Sequence, residues 1–334
     1  MGLLSGRGGA AWASAAVLGR DLCTWSAWGS NASRLPRNRP SWHLPTRRSF
    51  ETRAESWDIC RDTVQSRDMD NMLCLAFLPK DVQGACLAIR AFNVEVGSAA
   101  DKARDPKMAE VRLGWWMQAL DGIREQSPPA HPVAEALCSA VHHFSLDHTL
   151  LESLIDWRKR DLYSKQPETI DSLELYAEGT QTAMINLTLQ ALGEFEHQGS
   201  VAAASHVGQA VGLTLLLRGT RFHAARNRCY LPKSVTSANK LNLSTLVKGE
   251  PSQELSQCVF EIATEAKRHL ELAKEKETTR KARKALLSAE IARTYLDLLE
   301  KYDYDIMCPQ LANPSPSRVS LQLALLKNNL LGRF

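Results

Sequence analysis

A chain of 334 residues that is 44% apolar and 23% charged is long enough for one large or two ordinary globular domains and too hydrophobic for a disordered tail. Its net charge of +4 is concentrated at one end, because residues 1–50 hold seven arginines and a single acid, Asp21. The remainder is slightly acidic, which argues against a nucleic-acid binder with a basic face. Eight cysteines without one C-x-x-C pair argue against a zinc or disulfide framework and for buried thiols in a reducing compartment.

In chain order, residues 1–48 read as a mitochondrial targeting presequence. The stretch LLSGRGGAAWASAAVLGR lacks the uninterrupted apolar core of a secretory signal, and arginines recur up to RRSFETRAES while acids are nearly absent. Processing near Arg48 leaves residues 49–334 as one domain bound for the matrix. From there the periodicity is helical. Ala85, Ile89, Phe92, Val96 and Ala100 form an apolar stripe at three- and four-residue steps. Val259, Ile262, Ala263, Ala266, Leu270 and Ala273 form a second, and Leu287, Ile291, Tyr295, Leu298 and Tyr302 a third.

Breaks fall at Pro79 and at 105–106, 127–132, 165–171, 231–235, 248–253 and 308–317, all marked by Pro, Gly or short polar residues. Pro79 suits the first turn of a helix, and Thr169 or Asp171 suits the cap of the helix after PETID. Strand-like alternation, internal repeats and long flexible linkers are absent. The expectation is an all-α, single-domain bundle of about ten helices, with 179–193 and 198–217 at its centre, since only a surrounded helix is apolar nearly all round. The run 198–217 is long enough to cross a bilayer, yet it holds Gln198, Ser200, Ser205, His206 and Gln209, too many polar groups for a lipid-facing span.

Three local features invite a ligand. His142, His143 and His148 stand beside no C-x-x-C pair, so no metal is expected there. Trp115 and Trp116 read as helix packing rather than as a cage. KEKETTRKARK (274–284) sets Lys274, Lys276, Arg280, Lys281, Arg283 and Lys284 against two acids. It reads first as a solvated helix end, and in a sharper form as peripheral contact with an anionic bilayer such as the inner mitochondrial membrane.

The most informative stretch is GQAVGLTLLLRGTRFHAARNRCYLP (208–232). A charge-free apolar helix ends in Arg218, Arg221, Arg226 and Arg228, with no acid anywhere in the stretch. Together with LAFLPKDVQGACLAIRAFNVEVGSAAD (75–101) and SLELYAEGTQTAMINLTLQALG (172–193) it resembles, in order and spacing, the squalene/phytoene synthases, over about residues 55 to 305. That resemblance implies an all-α isoprenoid-synthase fold. In the family, two aspartate-rich helices face each other and hold Mg²⁺ on a prenyl diphosphate. Carboxylates four apart share a helix face, Mg²⁺ takes oxygen ligands, and the bound metal neutralises the departing pyrophosphate.

Gly208, Ala210, Arg218, Arg228, Tyr230 and Pro232 match the last motif, but the ligand positions do not. Gly97 and Ser98 stand for the first aspartate pair, leaving Asp101, and Val94 replaces an upstream arginine. Gly219 and His223 stand for the second pair, Phe222 for a glutamate, and Gly212 and Leu215 for a glutamine and an asparagine. Gln181 and Thr182 replace an Ala-Gly pair. The resemblance therefore implies a pseudoenzyme with no catalytic residue, metal or cofactor, and a vestigial anion pocket of Asp101, Arg218, Arg226, Arg228 and Tyr230. The same arginines have a structural reading, as cations at a helix C-terminus.

Within the family the segments LAIRAFNVE and HVGQAVGLTLLLR resemble the non-catalytic branch that assists assembly of respiratory complex I. This implies complex I subunits or assembly intermediates as partners, at an early membrane-arm or quinone-module step, and a peripheral place on the matrix side of the inner membrane. Two other readings stay open: an isoprenoid or quinone-lipid binder that keeps the prenyl tunnel, and a prenyl-diphosphate transferase with a relocated metal site. Against the latter, Glu95 and Asp101 are six apart and do not share a face.

Overall fold

Helix boundaries fall where the turn residues stand. The computed structural model describes residues 54–103, 105–312 and 318–334; the expected presequence and the start of the domain at residue 49 lie outside them. The first helices are α1 (Ala54–Arg67), α2 (Met69–Leu75), α3 (Lys80–Gly97), α4 (Pro106–Arg124), α5 (Pro132–Phe144) and α6 (His148–Asp161). Pro79 sits one residue ahead of α3, at its N-cap rather than inside its first turn. Pro106 opens α4 behind Asp105, whose carboxylate accepts from the Met108 N–H at 2.9 Å, and Asp147 caps α6 through the Thr149 N–H at 2.8 Å.

The centre is built by α7 (Ile170–Ala177), a π turn (Glu178–Thr182), α8 (Ala183–Leu192) and α9 (Gln198–Ala224). Thr169 rather than Asp171 caps α7, accepting from the Ser172 N–H. Then come α10 (Lys233–Ala238), α11 (Leu243–Lys248), α12 (Gln253–Lys274), a 3₁₀ turn (Ala282–Leu287), α13 (Ser288–Lys301), α14 (Pro309–Ala312) and α15 (Arg318–Leu331). With α7 and α8 joined by the π turn into one rod, the described residues hold fourteen helices and no strand. Eleven are of seven residues or more, close to the ten expected.

The long helix α9 is packed by α12, α13, α7 and α8. Ala203, Ala204, Val207, Ala210 and Leu213 are wholly buried. Gly208 and Gly212 let it touch the π rod: a Cβ on Gly208 would lie 2.1 Å from Thr182 Oγ1 and 2.5 Å from the Thr182 nitrogen, and one on Gly212 would lie 2.3 Å from Ala177 Cβ. The polar groups of α9 find partners inside. Glu178, on the π turn, accepts from Ser205 Oγ (2.8 Å), Gln209 Nε2 (3.1 Å) and Thr182 Oγ1 (3.0 Å). His206 Nδ1 meets His269 Nδ1 at 3.0 Å. Although α9 is long and apolar enough to cross a membrane, most of its apolar window is covered by the protein itself.

Cys60, Cys74, Cys86, Cys138 and Cys258 are buried and unbridged; burial pushes the thiols of Cys60, Cys74 and Cys86 up to about 12. Trp116 is buried edge-on against Phe92 and Trp115, as packing predicts, whereas Trp115 itself is 40% exposed. His142 is engaged with the Ile123 carbonyl at 2.6 Å and His143 with the Phe144 ring.

Candidate functional site

At one end of the bundle the termini of α1, α3 and α6, the start of α2, the π rod and α9 enclose a cavity of about 340 Å³. Both motif segments contribute to its lining. Gly97 and Asp101 come from the first, and Gly212, Leu215, Gly219, Phe222 and His223 from the second.

Those side chains do not fit divalent metal. Beside Gly97, where an aspartate would point, lies the guanidinium of Arg158. A Cβ on Gly97 would meet its Nε at 3.5 Å and its Nη2 at 3.6 Å. Arg158 is held there by donating to Asn93 Oδ1 and to the Leu154 carbonyl, each at 2.6 Å. Ser98 is turned back onto the Glu95 carbonyl at 3.2 Å, and Glu95 pairs with Lys102 at 3.1 Å. In the second segment, Gly219 offers no ligand. His223 packs edge-on against Tyr230, with ring centroids 4.7 Å apart. Burial, with Arg228 and Arg226 nearby, depresses its pKa to about 4, so the ring is neutral near pH 7.

The cavity is not short of carboxylates, but three of the four are engaged with arginines. Asp161 binds Arg228 Nη2 at 2.8 Å and accepts the Tyr230 hydroxyl at 2.6 Å. Asp70 pairs with Arg218 at 3.0 Å, and Asp68 with Arg90 at 3.2 Å and Asn71 at 2.7 Å. Four aspartates (Asp68, Asp70, Asp101, Asp161) and four arginines (Arg67, Arg158, Arg218, Arg228) line the space, so the lining is charge-balanced. With three of its four aspartates, Asp68, Asp70 and Asp161, paired to arginines, the cavity does not present the cluster of spare carboxylates that Mg²⁺ requires, and its arginines are matched in number by aspartates rather than left as a cation cluster for a naked diphosphate.

Four of the five pocket residues expected from sequence, Asp101, Arg218, Arg228 and Tyr230, do line this cavity. Arg226 does not. It lies 3.6 Å over the Phe222 ring and donates to the Phe222 carbonyl at 3.2 Å, which is the helix-end role. Sequence reasoning missed Asp68, Asp70, Arg158 and Asp161. They come from DMD (68–70) and RKRD (158–161), charged clusters outside the motif segments, which only the fold brings to the arginines.

The basic segment 274–284 is divided by the structure. Lys274 pairs with Glu271 at 2.6 Å on an exposed face. Arg283 is consumed structurally, donating to Thr278 Oγ1 and to the Gly332 carbonyl at 2.8 Å each. Arg280, Lys281 and Lys284 join Arg333 around a second, open cavity of about 360 Å³.

The helical bundle with its end cavity defines the class. The squalene/phytoene synthase profile matches residues 64–324, and the chain belongs to that family. Among its relatives is NADH dehydrogenase (ubiquinone) complex I, assembly factor 6 of Bos taurus, 31% identical over 254 residues that cover 75% of this chain and 76% of the relative. The assembly factor 6 homolog of Dictyostelium discoideum is 30% identical over 222 residues, 66% of this chain and 62% of the relative. Among solved structures, a dehydrosqualene synthase in complex with ligand superposes with a TM-score of 0.70 at 22% identity, covering 82% of this chain and 96% of that one; at that identity the likeness concerns the fold.

Proposed function

We propose that this protein is an assembly factor for mitochondrial respiratory complex I, NADH:ubiquinone oxidoreductase, built on a synthase fold that no longer performs metal-dependent prenyl transfer. The observation that carries this reading is the identity to assembly factor 6 across three quarters of both chains. The charge-balanced cavity supports it from the side of chemistry. Losing the metal's several kcal/mol of stabilisation of the leaving group lowers a rate by about a thousandfold. Residues 1–48 serve as the targeting presequence and 49–334 as the working domain, on the matrix side of the inner membrane. The partners are complex I subunits or assembly intermediates at an early membrane-arm or quinone-module step.

The experiment is depletion in cells of the source organism, followed by native gels with an NADH-dehydrogenase stain. Selective loss of complex I with other complexes spared is expected; intact complex I would sink the reading. A second reading, an isoprenoid or quinone-lipid binder, draws on one observation: the cavity persists, and Val96, Leu113, Leu215, Leu216 and Phe222 give it apolar walls. Organic extraction of the purified protein, with mass spectrometry of the extract, decides whether an isoprenoid travels with it.

A further inference from the structure

The last helix is apolar on two opposite sides. Leu321 and Leu325 are buried, and with Cys74 of α2 and Leu287 of the 3₁₀ turn they form a small separate core backed by Phe77 and Ile291. On the other side Val319, Leu323, Leu326 and Leu330 follow one another at steps of four, three and four, and are 45–69% exposed. At 100° per residue these four fall within an arc of about 60°, a stripe roughly 16 Å long. A helix apolar on both faces is one that is covered on both faces. The outward stripe is also rigidly presented: Asn328 donates to Glu290 at 2.8 Å, and Arg283 holds the Gly332 carbonyl.

What covers the stripe is indicated by charge. Its C-terminal end, Leu330, also lines the open cavity with Arg280, Lys281, Lys284 and Arg333. From Ile306 to Phe334 the sequence contains no acid. A second copy would bring two such cation clusters together, and the arginine-rich residues 1–50 carry the same sign. An apolar stripe with a cationic end, lying flat on a globular body, matches the interfacial zone of an anionic bilayer, where an acyl-chain signal and a basic signal act together.

We propose that α15 and this basic pocket form a binding surface for anionic phospholipid, with Val319, Leu323, Leu326 and Leu330 among the acyl chains and Arg280, Lys281, Lys284 and Arg333 on the headgroup phosphates. The surface differs from the basic run read in the sequence: Lys274 pairs with Glu271, Arg283 lines the pocket but spends its donors on Thr278 and the Gly332 carbonyl, and Arg333 and the stripe are added. The inference rests on the proposed inner-membrane placement only for which bilayer is meant.

The test is flotation of the full chain with vesicles of phosphatidylcholine and cardiolipin (3:1) or of phosphatidylcholine alone, comparing wild type with L323S/L330S and with R280E/K281E. All versions carry the same residues 1–50, so that contribution cancels in the ratio. Partition onto the anionic vesicles is expected to fall at least about tenfold in each double variant. Melting temperatures should be unchanged, because these side chains point outward. Hydrogen exchange in residues 318–331 should slow in wild type when anionic vesicles are added. Equal partition of wild type and L323S/L330S would overturn the proposal. So would equal wild-type binding to both vesicle types, or a lipid-free dimer abolished by L323S/L330S. Complex I assembly that depends on the protein while L323S/L330S remains fully competent would remove the surface and leave the assembly role standing.

Discussion

Asp161 is the residue on which the old site now depends. It holds a guanidinium and a phenol at once, in a place where both partners are mostly covered. Asp161→Ala strands the Arg228 charge and leaves the Tyr230 hydroxyl without its acceptor, and should cost about 2–4 kcal/mol in urea unfolding. Removing Arg228 as well should recover part of that loss, since residues in one network are not additive. His223 gives a pH signature. Its folded pKa of about 4 lies below an unfolded value of about 6.5, so between those limits the unfolded chain binds more protons. Stability conferred by the neutral ring is complete above about pH 6.5 and is lost as pH falls toward 4, by up to about 3 kcal/mol. The dependence of unfolding free energy on pH over that window should flatten by up to one proton in His223→Gln. An unchanged slope would mean that the ring titrates normally.

At the scale of elements, the packing of α9 on the π rod sets what can be substituted. A methyl at Gly208 meets the backbone of Thr182 as well as its hydroxyl, so Gly208→Ala should destabilise by about 3 kcal/mol or more, and Thr182→Ala should not rescue it. Gly114, inside α4, has no neighbour within 4 Å of an added Cβ; Gly114→Ala should raise stability by about 0.5–1 kcal/mol. Thermal or urea unfolding of the three variants checks both signs. Helices of this kind were readable from the sequence because their stripes repeat at helical spacing and their ends carry Pro, Asp or Thr caps. The π turn was not. Its local sequence, EGTQT, looks like ordinary helix, and the distortion places Glu178 opposite Ser205 and Gln209, contacts made across 27 and 31 residues of chain.

For the whole molecule, the motif segments named in the sequence do contribute to one cavity, and Asp101, Arg218, Arg228 and Tyr230 line it. The acids that pair with the arginines were hidden, because Asp70–Arg218 and Asp161–Arg228 join partners 148 and 67 residues apart. Charge balance of that type is a property of the assembled end of the bundle and has no local signature. It predicts indifference to metal and diphosphate. Millimolar Mg²⁺ with inorganic pyrophosphate should leave the melting temperature unmoved, and farnesyl or geranylgeranyl diphosphate with Mg²⁺ should give no condensed product above a no-protein control. Turnover abolished by Asp101→Ala would show that the site still works.

The arginine beside Gly97 bears on what an acid placed there could do. Restoring the lost acid by Gly97→Asp would deliver a carboxylate straight to Arg158, whose guanidinium already lies 3.5–3.6 Å from the new Cβ. The returning side chain would be captured as half of an ion pair before it could meet any metal, and Arg158 is itself anchored to Asn93. A single Gly97→Asp substitution is therefore expected to make an ion pair rather than a metal ligand. At this position the neighbour decides what a new side chain can do, since the guanidinium lies nearer to it than any ion would.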